Sequence, residues 1–234
     1  MRGPAWLHRW WRDGFVLLRG LPRRRADALL ALLGRVARRA PGAAERRRWV
    51  MESDLPAARR GAPLPPGRDA VFILGEPERL SPLFLQAAAA PLAAIAPALG
   101  TKRPVFHFAN VTQKAPGFGS GIAWHRDFPN RYITTRRGRF LRALLCLEAM
   151  GPGNGGTALR PGSQRGAGRA SIVPRCPAGA MLLLHPRLLH GGAPNRGSRP
   201  RRLLVAQWGR PDDPPLGPER EAWTGRRFRP PPAP

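Results

Sequence analysis

Lysine is almost missing from this chain: only Lys102 and Lys114 occur in 234 residues, so all but two of the 40 basic residues are arginine. Acidic residues are also scarce, at 14, and cysteine stops at Cys146 and Cys176. Two cysteines permit at most one disulfide and have no metal-ligand spacing, which excludes a disulfide scaffold and points to a reducing, cytoplasmic setting. Long apolar runs are missing too. The uncharged stretch 80–101 is mostly alanine and carries Pro82, Pro91 and Pro97, so a broken helix is expected there and a membrane span is not. The opening MRGPAWLHRWWRDG lacks the continuous apolar segment of a secretory leader, and none is expected.

A formal charge of +26 would ordinarily suggest a nucleic-acid or anionic-membrane partner. The arginines, however, are dispersed in runs at 23–25, 46–48, 136–139 and 199–202, in a chain crowded with alanine, glycine and proline. That pattern reads as coding composition over a solvated surface. The aromatic interleaving of single-strand binders is absent, so nucleic acid is the lesser reading and a small anionic substrate the better use of the charge. With 42% hydrophobic residues the chain can bury one sizeable core. One domain over 1–209 is expected, helical over about 1–103 and β over about 104–209, followed by a flexible Pro/Arg-rich tail at 210–234.

Local patterning fills in the elements. Phe15 to Leu18 is a short apolar run between glycines, as suits a strand, and Leu29, Leu30, Leu33, Val36 and Ala37 recur at helical spacing. The Pro- and Gly-rich segment 41–70 reads as a long irregular connection that could cover a site. Ser81 and Pro82 start a helix that breaks near Pro91. From Val105 onward come short apolar runs separated by turn residues, at 105–111, 140–147, 180–184 and 203–208. This is a mainly β core with flanking helices, an α+β arrangement.

Chemistry enters with WHRDFPN at 124–130 and LLHGGAPNRGSRPRRLLV at 188–205. His125 and Asp127 are two apart, so on an extended strand they share a face, and His190 arrives from a distant part of the chain. Two imidazoles and one carboxylate on one side of a metal leave its other positions open, the ligand set of non-haem Fe(II) oxygenases, with zinc the nearest competitor. His107 and His185 lie in apolar strand runs and read as structural. Trp124 and Phe128 flank the HxD, where they would either shield a metal or pack as plain core aromatics.

HRD at 125–127, NGGTALRPGSQ at 154–164, HGG at 190–192, Asn195 and Arg201 follow one another in an order and spacing that resemble the phytanoyl-CoA dioxygenase family of Fe(II)/2-oxoglutarate-dependent oxygenases. The resemblance runs from RDGFVLLRGL at 12–21 to Trp208. It implies a double-stranded β-helix, or jelly roll. It also implies Fe(II) held by His125, Asp127 and His190, and 2-oxoglutarate and O2 as co-substrates. Arg201 would lie on the far carboxylate of 2-oxoglutarate, with Asn110 and Gln113 as further contacts. Two departures stand out: Gly192 replaces the family's serine, and Gln164 replaces the histidine that closes PGSH. The function implied is hydroxylation of an unactivated C–H bond in a small anionic substrate. Chlorination is not expected, because Asp127 fills the position that related iron halogenases leave to a small apolar residue. The rival readings are a jelly roll that binds metal without turnover and a basic nucleic-acid-binding protein.

Overall fold

A computed structural model describes residues 4–130 and 133–216. The helices are α1 (Trp6–Asp13), α2 (Arg23–Val36), α3 (Ala43–Arg46), α4 (Leu83–Ala89) and α5 (Leu92–Leu99). Seven strands form one antiparallel sheet: β1 (Phe15–Arg19), β2 (Trp49–Met51), β3 (Val71–Gly75), β4 (Val105–Lys114), β7 (Phe140–Cys146), β9 (Ala180–Leu184) and β11 (Arg201–Gly209). Their spatial order is β1-β9-β7-β11-β4-β3-β2. A smaller sheet orders β5 (Ile122–His125), β10 (His190–Gly192) and β8 (Ala158–Leu159) as β5-β10-β8, and β6 (Thr134–Thr135) pairs with β12 (Pro215–Leu216).

Strand periodicity separates two cores. On β7, Leu141, Ala143 and Leu145 pack with Leu29 and Leu33 of α2, Phe84 of α4 and Ile95 of α5, while Leu144 and Cys146 turn to the opposite side with Leu182, Leu203 and Val205. Both faces of the large sheet are therefore covered, which is why its central strands read as continuous apolar runs. The second face looks toward the small sheet. That sandwich of a large and a small antiparallel sheet is the expected jelly roll. At α4 the helix starts at Leu83, one residue beyond the expected Pro82, and it breaks before Pro91. No helix among the described residues is long and apolar enough to cross a membrane.

The structure departs from expectation at three places. The section read as helical contributes, besides the expected strand β1, the strands β2 and β3 to the large sheet. Segment 41–70 is not an open connection: it contains α3, β2 and two 3-10 turns, Glu52–Asp54 and Ala57–Arg59, and Glu52 is fully buried. The ordered body also continues past 209. Asp213 is 2% exposed, and its carboxylate accepts from Thr135 Oγ1 and from the backbone N–H of Arg137 and Arg139. The rest of the expected tail, 217–234, lies outside the described residues.

Candidate metal centre

His190 pairs directly with His125 across the small sheet, so two residues 65 positions apart in the chain become neighbours by strand register. Asp127 follows β5 by two residues and is completely buried. One nitrogen of each histidine and one carboxylate oxygen all lie within 4.8 Å of one another. His125 Nε2 stands 3.6 Å from Asp127 Oδ1 and His190 Nε2 stands 3.8 Å from Oδ2.

The other ring nitrogens are already used. Nδ1 of His125 lies 2.9 Å from the Ala123 carbonyl, and Nδ1 of His190 lies 2.9 Å from the Leu188 carbonyl. A carbonyl can only accept, so each Nδ1 carries the proton and each Nε2 keeps its lone pair for the space shared with Asp127. Burial depresses His190 to about 4 and so favours the neutral ring that a metal ligand requires. For Asp127, burial alone would raise the carboxyl, but Arg142, then His190 and His125, outweigh it and hold the group well below the usual carboxylate range. The Arg142 Nη1 ion pair at 2.8 Å is the contact chiefly responsible. Neither oxygen accepts a hydrogen bond of good geometry from a described residue. A buried, ionised carboxylate with open lone pairs beside two imidazole lone pairs suits a divalent cation.

Arg142 extends the support inward: its Nε donates to Gln207 Oε1 at 3.2 Å, and Gln207 Nε2 lies 3.0 Å from His107 Nδ1 and donates to the Ile133 carbonyl. His107 is thus structural, as expected, and burial lowers it to about 4. His185 is structural too. Its Nδ1 accepts from Arg187 N, and its ring packs on Trp10 and Trp11.

The metal end opens into a cavity of about 310 Å³ lined by His125, His190, Asn110, Thr112, Arg201 and a wall of Ile73, Leu144, Leu203 and Val205, among others. Arg201 is 2% exposed, and burial lowers it to about 10. Among the described residues it makes no ion pair. Its Nη1 has a long 3.4 Å bond to the Thr112 carbonyl, and its Nε has no partner. A buried guanidinium without a carboxylate, opening on a cavity, suits an incoming one.

Two expectations fail here, both by parity. Asn110 lines the cavity, but Gln113 does not: it accepts from Arg202 Nε at 3.1 Å on the opposite face of the sheet. Positions 110 and 113 differ by an odd number, so one strand cannot aim both side chains the same way. Thr112 has the right parity and was missed. Likewise Trp124 is 49% exposed and Phe128 lies under the Arg187 guanidinium, because His125 and Asp127 take the inward positions.

The two sequence departures have local causes. Gln164 Nε2 donates to the carbonyls of Trp11 and Arg12, so it ties the end of α1 to the PGS turn. At Gly192, a Cβ would stand 3.0 Å from Lys114 Nζ and 3.1 Å from the Gly156 carbonyl. Lys114 is 1% exposed and donates to the carbonyls of Gly155 and Ala193 at 2.9 and 2.5 Å. Restoring the hydroxyl by Gly192→Ser should therefore destabilise the fold by about 1–3 kcal/mol through overpacking. Urea unfolding reads this directly, and an unchanged midpoint would mean that Lys114 can swing aside.

The comparisons with known proteins agree with this geometry. The sequence model described as phytanoyl-CoA dioxygenase (PhyH) matches residues 10–203, and no curated protein matches the chain. Among solved structures, EctD from S. alaskensis with 2-oxoglutarate and 5-hydroxyectoine superposes with a TM-score of 0.73 at 19% identity, covering 97% of this chain and 84% of that one. AviO1 from Streptomyces viridochromogenes Tue57 gives 0.65 at 22% identity, covering 91% and 96%. The non-heme alpha-ketoglutarate-dependent epimerase SnoN from nogalamycin biosynthesis gives 0.65 at 21%, covering 86% and 80%. At such identities these likenesses speak for the fold.

Proposed function

The chain belongs to the phytanoyl-CoA dioxygenase family of Fe(II)/2-oxoglutarate-dependent oxygenases, and we propose that it hydroxylates an unactivated C–H bond of a small organic substrate bearing an anionic group. The observation that carries this reading is the His125, Asp127 and His190 cluster opening on a cavity that contains the buried, unpaired Arg201. His125 Nε2, His190 Nε2 and the Asp127 carboxylate would hold Fe(II), and Arg201 would take the far carboxylate of 2-oxoglutarate. Fe(II), 2-oxoglutarate and O2 together would supply the oxidising power that breaks the C–H bond.

The protein's share is orientation and exclusion of water. The Ala123 and Leu188 carbonyls fix both imidazole tautomers, and Arg142 keeps Asp127 ionised and in place. Ile73, Leu144, Leu203 and Val205 wall the cavity, which limits side reactions with bulk water. A volume of about 310 Å³ is at the lower end for small-molecule sites, roughly 300–1,000 Å³. Polymeric substrates are disfavoured by that size. Both thiols, Cys146 and Cys176, are free and buried, in keeping with a reducing, cytoplasmic setting.

The reaction type is tested by mass spectrometry of turnover mixtures containing chloride and ¹⁸O₂. One labelled oxygen in the product, with no chlorine, is expected. A chlorinated product would refute the ligand role of Asp127, and an epimerised product without added oxygen would replace hydroxylation with stereochemical inversion.

A further inference from the structure

Lys114 and Arg201 stand opposite each other where β4 pairs with β11, and both are buried, at 1% and 2% exposure. Two basic side chains directly across an antiparallel pair repel one another, and burial leaves little water to screen them. Lys114 Nζ donates to two carbonyls, that of Gly155 at 2.9 Å and that of Ala193, and among the described residues to no carboxylate. We propose that Lys114 is the proton partner of Arg201: a carboxylate arriving on Arg201 draws a proton from solvent onto Lys114, so that 2-oxoglutarate binds together with a proton. The inference rests on the oxygenase reading above, in which Arg201 meets the co-substrate.

The slot around Lys114 suits an uncharged amine in the absence of co-substrate. A neutral amine has two N–H donors, and the two carbonyls take both, whereas an ammonium has three. The side chain has no room to swing toward water. A Cβ at Gly155 would stand 3.1 Å from Lys114 Cδ, and one at Gly192 would stand 3.0 Å from Nζ, so the two glycines leave space for the lysine and for little else. At the base of the side chain, Asn195 Nδ2 donates to the Lys114 carbonyl at 3.2 Å and holds the end of β4 in place. Arg201, Thr112 and Asn110 line the cavity, and Lys114 is not among the lining side chains. It therefore responds to a bound carboxylate through Arg201, without touching it.

Among the described residues, the charged groups that act on Lys114 are Arg201 on β11 and Glu52 on the 3-10 turn Glu52–Asp54. Burial and then Arg201 lower the amine, with Glu52 opposing them, and the result is about 6. The Glu52 carboxylate is itself taken up by Ser120 N and Ser120 Oγ. At neutral pH Lys114 is thus mostly uncharged, while Arg201, lowered only to about 10, keeps its charge. A carboxylate on Arg201 offsets the repulsion, and the ammonium form of Lys114 gains accordingly. Below about 6 the amine is charged with or without co-substrate, and well above its value in the complex it is neutral in both states. Between those limits binding takes up a proton, so the affinity for 2-oxoglutarate should fall as pH rises through this window and then level off.

The test loads the protein anaerobically with Fe(II), which keeps His125 and His190 from titrating. It then titrates 2-oxoglutarate calorimetrically at neutral pH in buffers of different ionisation heat, which counts the protons taken up. Wild type should take up about half a proton per 2-oxoglutarate, and its affinity should fall by about three- to tenfold between about pH 6.5 and about pH 8.5. 2-Oxopentanoate, which keeps the chelating groups and lacks the far carboxylate, should bind with no uptake. Lys114→Met, of similar length and without a titrating group, should bind 2-oxoglutarate with no uptake and with an affinity that does not vary over the same pH range. The exposed control Lys102→Met should behave as wild type. The wild-type proton count does not depend on any variant folding, so zero uptake there, with iron and 2-oxoglutarate bound, overturns the inference alone. Uptake that persists in Lys114→Met, or that 2-oxopentanoate reproduces, also overturns it by placing the proton elsewhere, Glu52 first. Failure of wild type to bind iron or 2-oxoglutarate removes the oxygenase reading and this inference with it.

Discussion

Replacing His190 with alanine should abolish stoichiometric Fe(II) binding in an anaerobic titration, while His185→Gln should bind one equivalent as wild type does. The two histidines are five positions apart and both buried deeply enough to be lowered to about 4, so burial does not distinguish them. Geometry does. His190 Nε2 faces Asp127, and its Nδ1 is committed to the Leu188 carbonyl. His185 instead accepts from Arg187 N at its Nδ1 and packs its ring against two tryptophans. Losing a mere supporting contact to a metal ligand costs about 10–100-fold in metal affinity, and losing a ligand itself should cost more. His190→Ala is the cleaner variant than Asp127→Ala. Removing Asp127 would leave Arg142 buried beside no carboxylate, a change worth about 3–5 kcal/mol of stability, and a folding defect would then mimic loss of the site. Full iron occupancy in His190→Ala would end the metal assignment.

The candidate ligand cluster was legible because its signal is local and chemical. HRD states its own spacing, and a strand period of two converts that spacing into a shared face. The contribution of His190 depended on its place within a longer ordered pattern, which the pairing of β10 with β5 then realises. The expectation that failed was one of parity beyond the motif. Asn110 and Gln113 were both read as contacts, yet β4 sends Asn110, Thr112 and Lys114 to one side and Gln113 to the other, as the pairing of Arg202 with Gln113 requires. An even-spacing test on β4 would have replaced Gln113 with Thr112.

Segment 41–70 was illegible for a different reason. Its strand β2 spans three residues and is held by pairing with β3 and by the adjacent buried Glu52–Ser120 contact, which joins positions 68 residues apart. Composition reports proline and glycine there. It does not report long-range pairing. β3 itself, VFILG at Val71–Gly75, is an apolar run of strand length and could have been recognised. Lys114 belongs with these long-range surprises. One of only two lysines, it fills the space beside Gly192, so the missing serine and the buried lysine are a matched pair that neither position reveals alone.

The last expectation concerns Arg201 and Arg202, adjacent on β11 and opposite in environment. Arg202 donates to Gln113 Oε1 and pairs with Glu148 at 3.0 Å. Arg201 is sealed in the sheet interior with its Nε unpartnered. Truncating one member of a buried, hydrogen-bonded charge pair costs about 2–5 kcal/mol, so Arg201→Ala should raise the 2-oxoglutarate dissociation constant by roughly 30- to 4,000-fold. Arg202→Ala should change it by roughly twofold at most, as befits a partly exposed pair on the far face. Thermal unfolding offers a readout that needs no turnover. At 100 times its dissociation constant a ligand stabilises the folded state by about 2.7 kcal/mol, or about 5–10 °C for a chain of this size. Wild type and Arg202→Ala, charged with Fe(II) without oxygen, should show that shift, and Arg201→Ala at the same concentration should show about a third of it or less. Without co-substrate the ranking should weaken or reverse, since Arg201 then presents a buried charge with no counter-ion, and replacing it removes a desolvation cost. If Arg202→Ala lost the 2-oxoglutarate shift and Arg201→Ala kept it, the inward face of β11 would be wrong by one residue, and the assignment of Asn110 and Thr112 to the cavity would fall with it.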